Sequence, residues 1–145
     1  MSYKIPRSVL VLVHTAGREV LLLERALRPG YWQSVTGSVE HDDEPLERAA
    51  ARELAEETGI DATSGRLERW NVVYTFEIYR QWRSRFAPGV LHNIEQVFAL
   101  ALGSRVPVRI APDEHLAFEW LPWREAAAKC FSWSNRDAIV MLGER

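Results

Sequence analysis

One cysteine, Cys130, is all the chain contains, so neither an internal disulfide nor a cysteine-based zinc site can form. Long hydrophobic runs are missing too. The longest near the N-terminus, Val9 to Val13, is too short for a signal-peptide core or a membrane span. Nor does charge of one sign dominate. Eighteen Lys and Arg face twenty Asp and Glu, a formal net charge of −2. No global basic field is present to attract nucleic acid, so a polyanionic substrate must be held by local arginines or by a metal. Internal repeats and low-complexity linkers are absent, and one domain over residues 1–145 is expected. These absences point to a small-molecule protein in a reducing, cytoplasmic setting, without membrane or nucleic-acid partners. They leave its oligomeric state open.

What is present suits a globular core: 47% hydrophobic and 26% charged residues. The apolar, β-branched segment Ser8 to Val13 predicts a strand, and Val20 to Arg25 a second one across a turn at His14 to Arg18. Tyr31 to Val39 is strand-like but interrupted by Gly37. Further strands are expected at Arg69 to Tyr79, His92 to Leu102, Val106 to Ile110 and Ala117 to Leu121. Gln81 to Gly89 reads as a basic loop. The clearest helix is Glu44 to Thr58, with Pro45 in its first turn and Gly59 just past its end. Trp123 to Lys129 and Asn135 to Leu142 add helices at the C-terminus. The fold class is α+β, an α/β/α sandwich with a mixed central sheet.

The central helix carries the chemistry. Leu46, Ala49, Ala50, Glu53 and Glu57 recur at helical intervals and share one stripe, with Glu56 at its edge. The opposite side, Glu47, Arg48, Ala51, Arg52 and Ala55, is expected to be wet. Glu53 and Glu57 therefore point inward with the small apolar residues. Two like charges four residues apart repel, and partial burial makes the conflict far worse. A divalent cation removes it. Mg²⁺ takes hard oxygen ligands and keeps positions open for phosphate oxygens. Glu53, Glu56 and Glu57 together read as a Mg²⁺ site open to a phosphorylated substrate.

Gly37, Glu44, Arg52-Glu53-Leu54, Glu56-Glu57 and Gly59-Ile60 resemble the Nudix box, G-x5-E-x7-R-E-U-x-E-E-x-G-U, where U is aliphatic. Glu44 to Ile60 fits in register. Upstream, six residues separate Gly37 from Glu44 instead of five, a one-residue loop insertion that leaves Asp43 as a rival for the first acidic position. The resemblance implies hydrolysis of a diphosphate linked to another moiety. By position, Glu53 and Glu57 become metal ligands and Glu56 supports them. Arg52 orients a glutamate by an ion pair or stays a solvated arginine. The Gly37 carbonyl joins the metal site or serves turn geometry.

Segments outside the box narrow the resemblance to the pterin-triphosphate branch of the family. They are Tyr31 to Glu40, Phe76 to Tyr79, Phe86 to Val90, Glu114 to Ala117 and Ser132 to Arg136. The implied reaction is Mg²⁺-dependent hydrolysis of 7,8-dihydroneopterin 3'-triphosphate to the monophosphate and pyrophosphate. A nucleoside-triphosphate pyrophosphohydrolase is the alternative, and a non-cleaving nucleotide or pterin sensor the second. Lys4, Arg25 and Thr36 become substrate contacts by this likeness, although the two cations also read as solvated charges at strand ends. Phe76, Glu77, Ile78 and Tyr79 would line the ring pocket, Glu77 accepting hydrogen bonds from the ring, or else pack the core. Glu114 is a third metal ligand or general base, or an exposed loop acid. His115 suits proton transfer or a structural hydrogen bond. Ser132 touches substrate by family position, while Ser134 with Asp137 looks like a helix capping pair. Arg80, Arg83 and Arg85 either attract the triphosphate or form a solvated loop.

Overall fold

Alternation along the first strand sets up the two faces of the molecule. In the computed structural model, which describes residues 2–145, β1 (Arg7–His14) turns Val9, Val11 and Val13 to one side and Leu10 and Leu12 to the other. The first set packs against α1 (Leu46–Thr58). The second packs against α2 (Trp123–Lys129) and α3 (Trp133–Glu144). Each fully buried Leu or Val contributes roughly 1.5–3 kcal/mol, so a strand buried on both faces anchors both layers. The expected sandwich with helices on both sides of a mixed sheet is what forms.

The sheet runs β3-β2-β1-β6-β5. Here β2 is Glu19–Arg25, β3 Trp32–Gln33, β5 Arg66–Glu77 and β6 His92–Ala101. β1 and β6 are parallel, with Ser8 opposite Glu95. β4 (Val35–Ser38) pairs antiparallel with β1, setting Gly37 opposite Val9. β7 (His115–Pro122) lies along β2. Among the described residues, no helix is long and apolar enough to cross a membrane.

Several predicted elements change. Helix α1 starts at Leu46, because Pro45 is extended (φ −59, ψ 136) and a proline drives the residue before it, Glu44, away from helical geometry. Tyr31 to Val39 splits into β3 and β4, which pair with different strands. Val106, Val108 and Ile110 do pack on the core in alternation, but the segment is no strand. Its Arg109 amide donates to the Thr58 carbonyl at 2.8 Å, at the end of α1 and away from any ladder. The basic loop contains a 3₁₀ turn over Arg80–Arg85. α3 begins two residues early, at Trp133. Its cap is Ser132, whose hydroxyl accepts from the Asn135 amide at 3.3 Å, and not Ser134.

Candidate active site

The site starts from the inward stripe of α1. Glu57 is buried, and Glu53 keeps only 13% of its side chain exposed, whereas Glu56 reaches solvent. The Glu53 carboxylate rests on the backbone of β4: a Cβ at Gly37 would come within 2.1 Å of it. Only glycine at this point lets helix and strand approach so closely.

Arg52 is not on the wet side, as the helical wheel predicts. Its long side chain curls back toward the start of the helix. Nη2 donates to Glu44 Oε1 at 3.1 Å and Nε to Glu44 Oε2 at 3.1 Å, while Nη1 donates to Glu53 Oε1 at 2.8 Å. Nη2 also reaches the Ser38 carbonyl at 3.2 Å. Arg52 thus ties helix, β4 and the preceding loop together, and its hydrogen bonds hold the Glu44 carboxyl below the usual carboxylate range. The register question closes here as well. Glu44 is buried and caps the Glu40 amide at 2.8 Å, whereas Asp43 points to solvent beside His41. The inserted residue is absorbed in the exposed loop.

A cavity of about 480 Å³ opens over this stripe, lined by the carboxylates Glu53, Glu57, Asp113 and Glu114 and by the cations Lys4, Arg25 and Arg85. Burial, then Glu53 and then Glu114, push the Glu57 carboxyl well above its ordinary range, partly offset by the Thr36 backbone. Burial and Glu53 raise Glu114 as well. Glu57 Oε1 is buried without a hydrogen-bond partner. Its neighbour His115 stands 3.8 Å away and is driven down to about 4 by burial and Arg25, so it is neutral. In the same cavity, crowding and the neighbouring Arg85 and Arg25 hold the Lys4 ammonium below its usual range, although Lys4 keeps exposed surface. Arg25 Nη1 donates to Gln33 Oε1 at 3.1 Å.

Among the described residues, no three carboxylates or histidines stand close enough to form a ready-made cage. The orphaned Glu57 oxygen, the Glu53 carboxylate on its Gly37 cradle and the hard-oxygen donor set nevertheless fit a divalent cation.

A second cavity, about 270 Å³, adjoins the first and shares Lys4, Arg25, Gln33, Thr36 and Arg85 with it. Its walls are aromatic: Phe76, Tyr79, Trp82, Phe131 and Trp133. Tyr79, Trp82 and Phe131 pack on one another with centroids 5.3–5.8 Å apart. Thr36 uses its hydroxyl to bond the Val9 carbonyl at 3.0 Å. Ile78 is fully packed and Ser132 lines the rim as the α3 cap. Glu77 lines the cavity, with its side chain 68% exposed and paired with Arg83. The three arginines of the 3₁₀ turn diverge, and only Arg85 faces both cavities.

Sequence reasoning missed the polar floor of this second cavity, formed by Ser8, Asn93, Glu95 and Ser134, all buried. It also missed Trp82, which lies 4.6 Å under the Arg25 guanidinium. The signal for Glu95 was in the parity of β6: it shares a face with Val97 and Ala99.

Residues 4–141 match the NUDIX domain. The dihydroneopterin triphosphate diphosphatase of Escherichia coli (strain K12) is 45% identical over 94% of this chain and 91% of that enzyme. The Haemophilus influenzae protein of the same name is 37% identical over 96% of this chain and 88% of that one. Among solved structures, the E. coli dihydroneopterin triphosphate pyrophosphohydrolase superposes with a TM-score of 0.90 at 42% identity, covering 97% of each chain.

Proposed function

This chain belongs to the Nudix family and is a Nudix hydrolase, and from that premise we propose that it converts 7,8-dihydroneopterin 3'-triphosphate to the monophosphate and pyrophosphate. The observation that carries the reading is the pair of joined cavities. One is ringed by carboxylates and cations, the other by aromatic walls, and Lys4, Arg25 and Thr36 belong to both. A flat ring ending in a triphosphate spans such a pair. The named relatives supply the choice of pterin.

Nudix hydrolases use a divalent metal, and we assign Mg²⁺ here. Glu53, Glu57, Glu114 and the Gly37 carbonyl would hold it, with Glu56 at the solvent edge of the cluster. When bound, the cation supplies positive charge against the charge that develops on the phosphoryl oxygens. Water attacks phosphorus, the bridge between the α- and β-phosphates breaks, and pyrophosphate leaves. We assign Lys4, Arg25 and Arg85 to the phosphate oxygens, where arginine binds two at once. Arg52 keeps Glu53 oriented. Glu114 takes the proton from water. Phe76 and Tyr79 stack on the ring, with Ile78 behind them and Thr36 and Ser132 as polar contacts. Residues 1–145 act as a single Nudix hydrolase domain, and the lone buried Cys130 fits a reducing cytoplasm.

Pyrophosphate release should be followed with the pterin triphosphate and with each common dNTP under saturating Mg²⁺. The expected result is the highest kcat/KM on the pterin substrate. A higher value on a dNTP would replace this reading with nucleotide pyrophosphohydrolysis, and no turnover on any of them would leave a sensor.

A further inference from the structure

The floor of the aromatic cavity marks where the sheet changes character. On the face turned to α2 and α3, β1 runs from Leu12 and Leu10 to Ser8, and β6 runs back from Ala99 and Val97 to Glu95 and Asn93. Ser8 and Glu95 are direct cross-strand partners. An apolar core thus ends in a buried polar row at the cavity.

Glu95 is the anomaly in that row. Only 5% of it is exposed, and among the described residues no Lys or Arg pairs with it. Ser134 Oγ donates to Oε1 at 3.3 Å, and no described donor reaches Oε2. Burial lifts its carboxyl to about 7, against the pull of that one hydrogen bond. Asn93 spends its Nδ2 on Ser8 Oγ at 2.7 Å, which leaves Oδ1 as a second unpartnered acceptor beside it. Packing alone would favour an apolar or amide residue here, because a buried charge without a partner is costly. The cavity therefore carries acceptors in excess at its floor and aromatic faces at its walls. That combination fits a flat ring whose edge presents adjacent N–H donors.

We infer that Glu95 selects the substrate's ring, its carboxylate accepting two parallel N–H bonds from an amino group and the ring N–H next to it. This is the 2-amino-4-oxo-pyrimidine edge shared by pterins and guanine. The inference rests on the ring-and-triphosphate reading above, and it moves the ring-reading role from Glu77 to Glu95. Hypoxanthine keeps the ring N–H but lacks the amino group.

The test compares the α,β-methylene analogues of dGTP and dITP, which differ only in that amino group, by calorimetric titration with Mg²⁺. The wild-type protein is expected to bind the guanine analogue roughly 10–100-fold more tightly, the usual weight of a hydrogen bond to a charged group. Glu95→Gln is expected to bring the two affinities within about threefold, because its amide can accept only one of the two N–H groups. Equal affinities in the wild-type protein overturn the proposal without any variant, and so does a ratio unchanged in Glu95→Gln. Because binding is read without turnover, absence of hydrolysis would sink the proposed reaction and leave this ring preference standing.

Discussion

Glu57 meets two penalties at once: it is buried, and it faces Glu53 and Glu114. Its folded-state pKa lies above the unfolded value, so the folded protein holds that proton longer. The penalty is absent below the ordinary carboxylate range and grows as pH rises through the raised pKa. In metal-free buffer, Glu57→Gln should therefore melt at a higher temperature than the wild type at pH 8, with the gap closing toward pH 4. Its turnover should fall by roughly 10²–10³, the scale for losing one fixed electrostatic group. Near-normal turnover with Mg²⁺ would reject Glu57 as a ligand, and an unchanged melting temperature would reject the strain. Residue identities were legible unevenly. The stripe placing Glu53 and Glu57 inward followed from helical spacing. Arg52 defeated the helical wheel, because a long side chain ends far from where its Cα points. Glu95 went unread, since a carboxylate within a strand pattern reads as surface unless its parity is followed to Val97 and Ala99.

Elements were most legible where turn chemistry and periodicity agreed. Gly59 ends α1 in the left-handed conformation (φ 72), as its place just past the helix implied. Alternation misled at Val106 to Ile110, because period-two burial needs only a surface to lie on, whereas a strand also needs a free edge. Two glycines separate backbone cost from packing cost. At Gly59 an added Cβ meets Arg109 Cβ at an ordinary 3.5 Å, so Gly59→Ala should cost only the left-handed backbone, about 1 kcal/mol. At Gly143 in α3, an added Cβ would fall 2.0 Å from the Trp123 ring of α2. Gly143→Ala should cost about 1–3 kcal/mol or more through overpacking between the two helices. Urea midpoints would order the two. A larger loss at Gly59 would contradict this account of how α2 and α3 meet.

Across the whole molecule charge nearly cancels, so attraction for a polyphosphate is local. Among the described residues, Lys4, Arg25 and Arg85 face one cavity without an ion-pair partner, and the first two are pushed down by burial and then by repulsion from Arg85. A phosphate chain relieves that repulsion. The Lys4→Ala, Arg25→Ala double variant should raise KM by at least about tenfold, as expected for losing charged hydrogen bonds. Added salt should raise the wild-type KM more than the variant's. An unchanged KM would reject both as phosphate contacts. The stacking of Arg25 on Trp82 reaches beyond affinity. Arg25 borders both cavities and Trp82 is a wall of the aromatic one, so a ligand entering either is expected to alter the same indole. Tryptophan emission should therefore register occupancy directly: the molecule carries an optical reporter where its two half-sites join, and no label is needed to watch it fill.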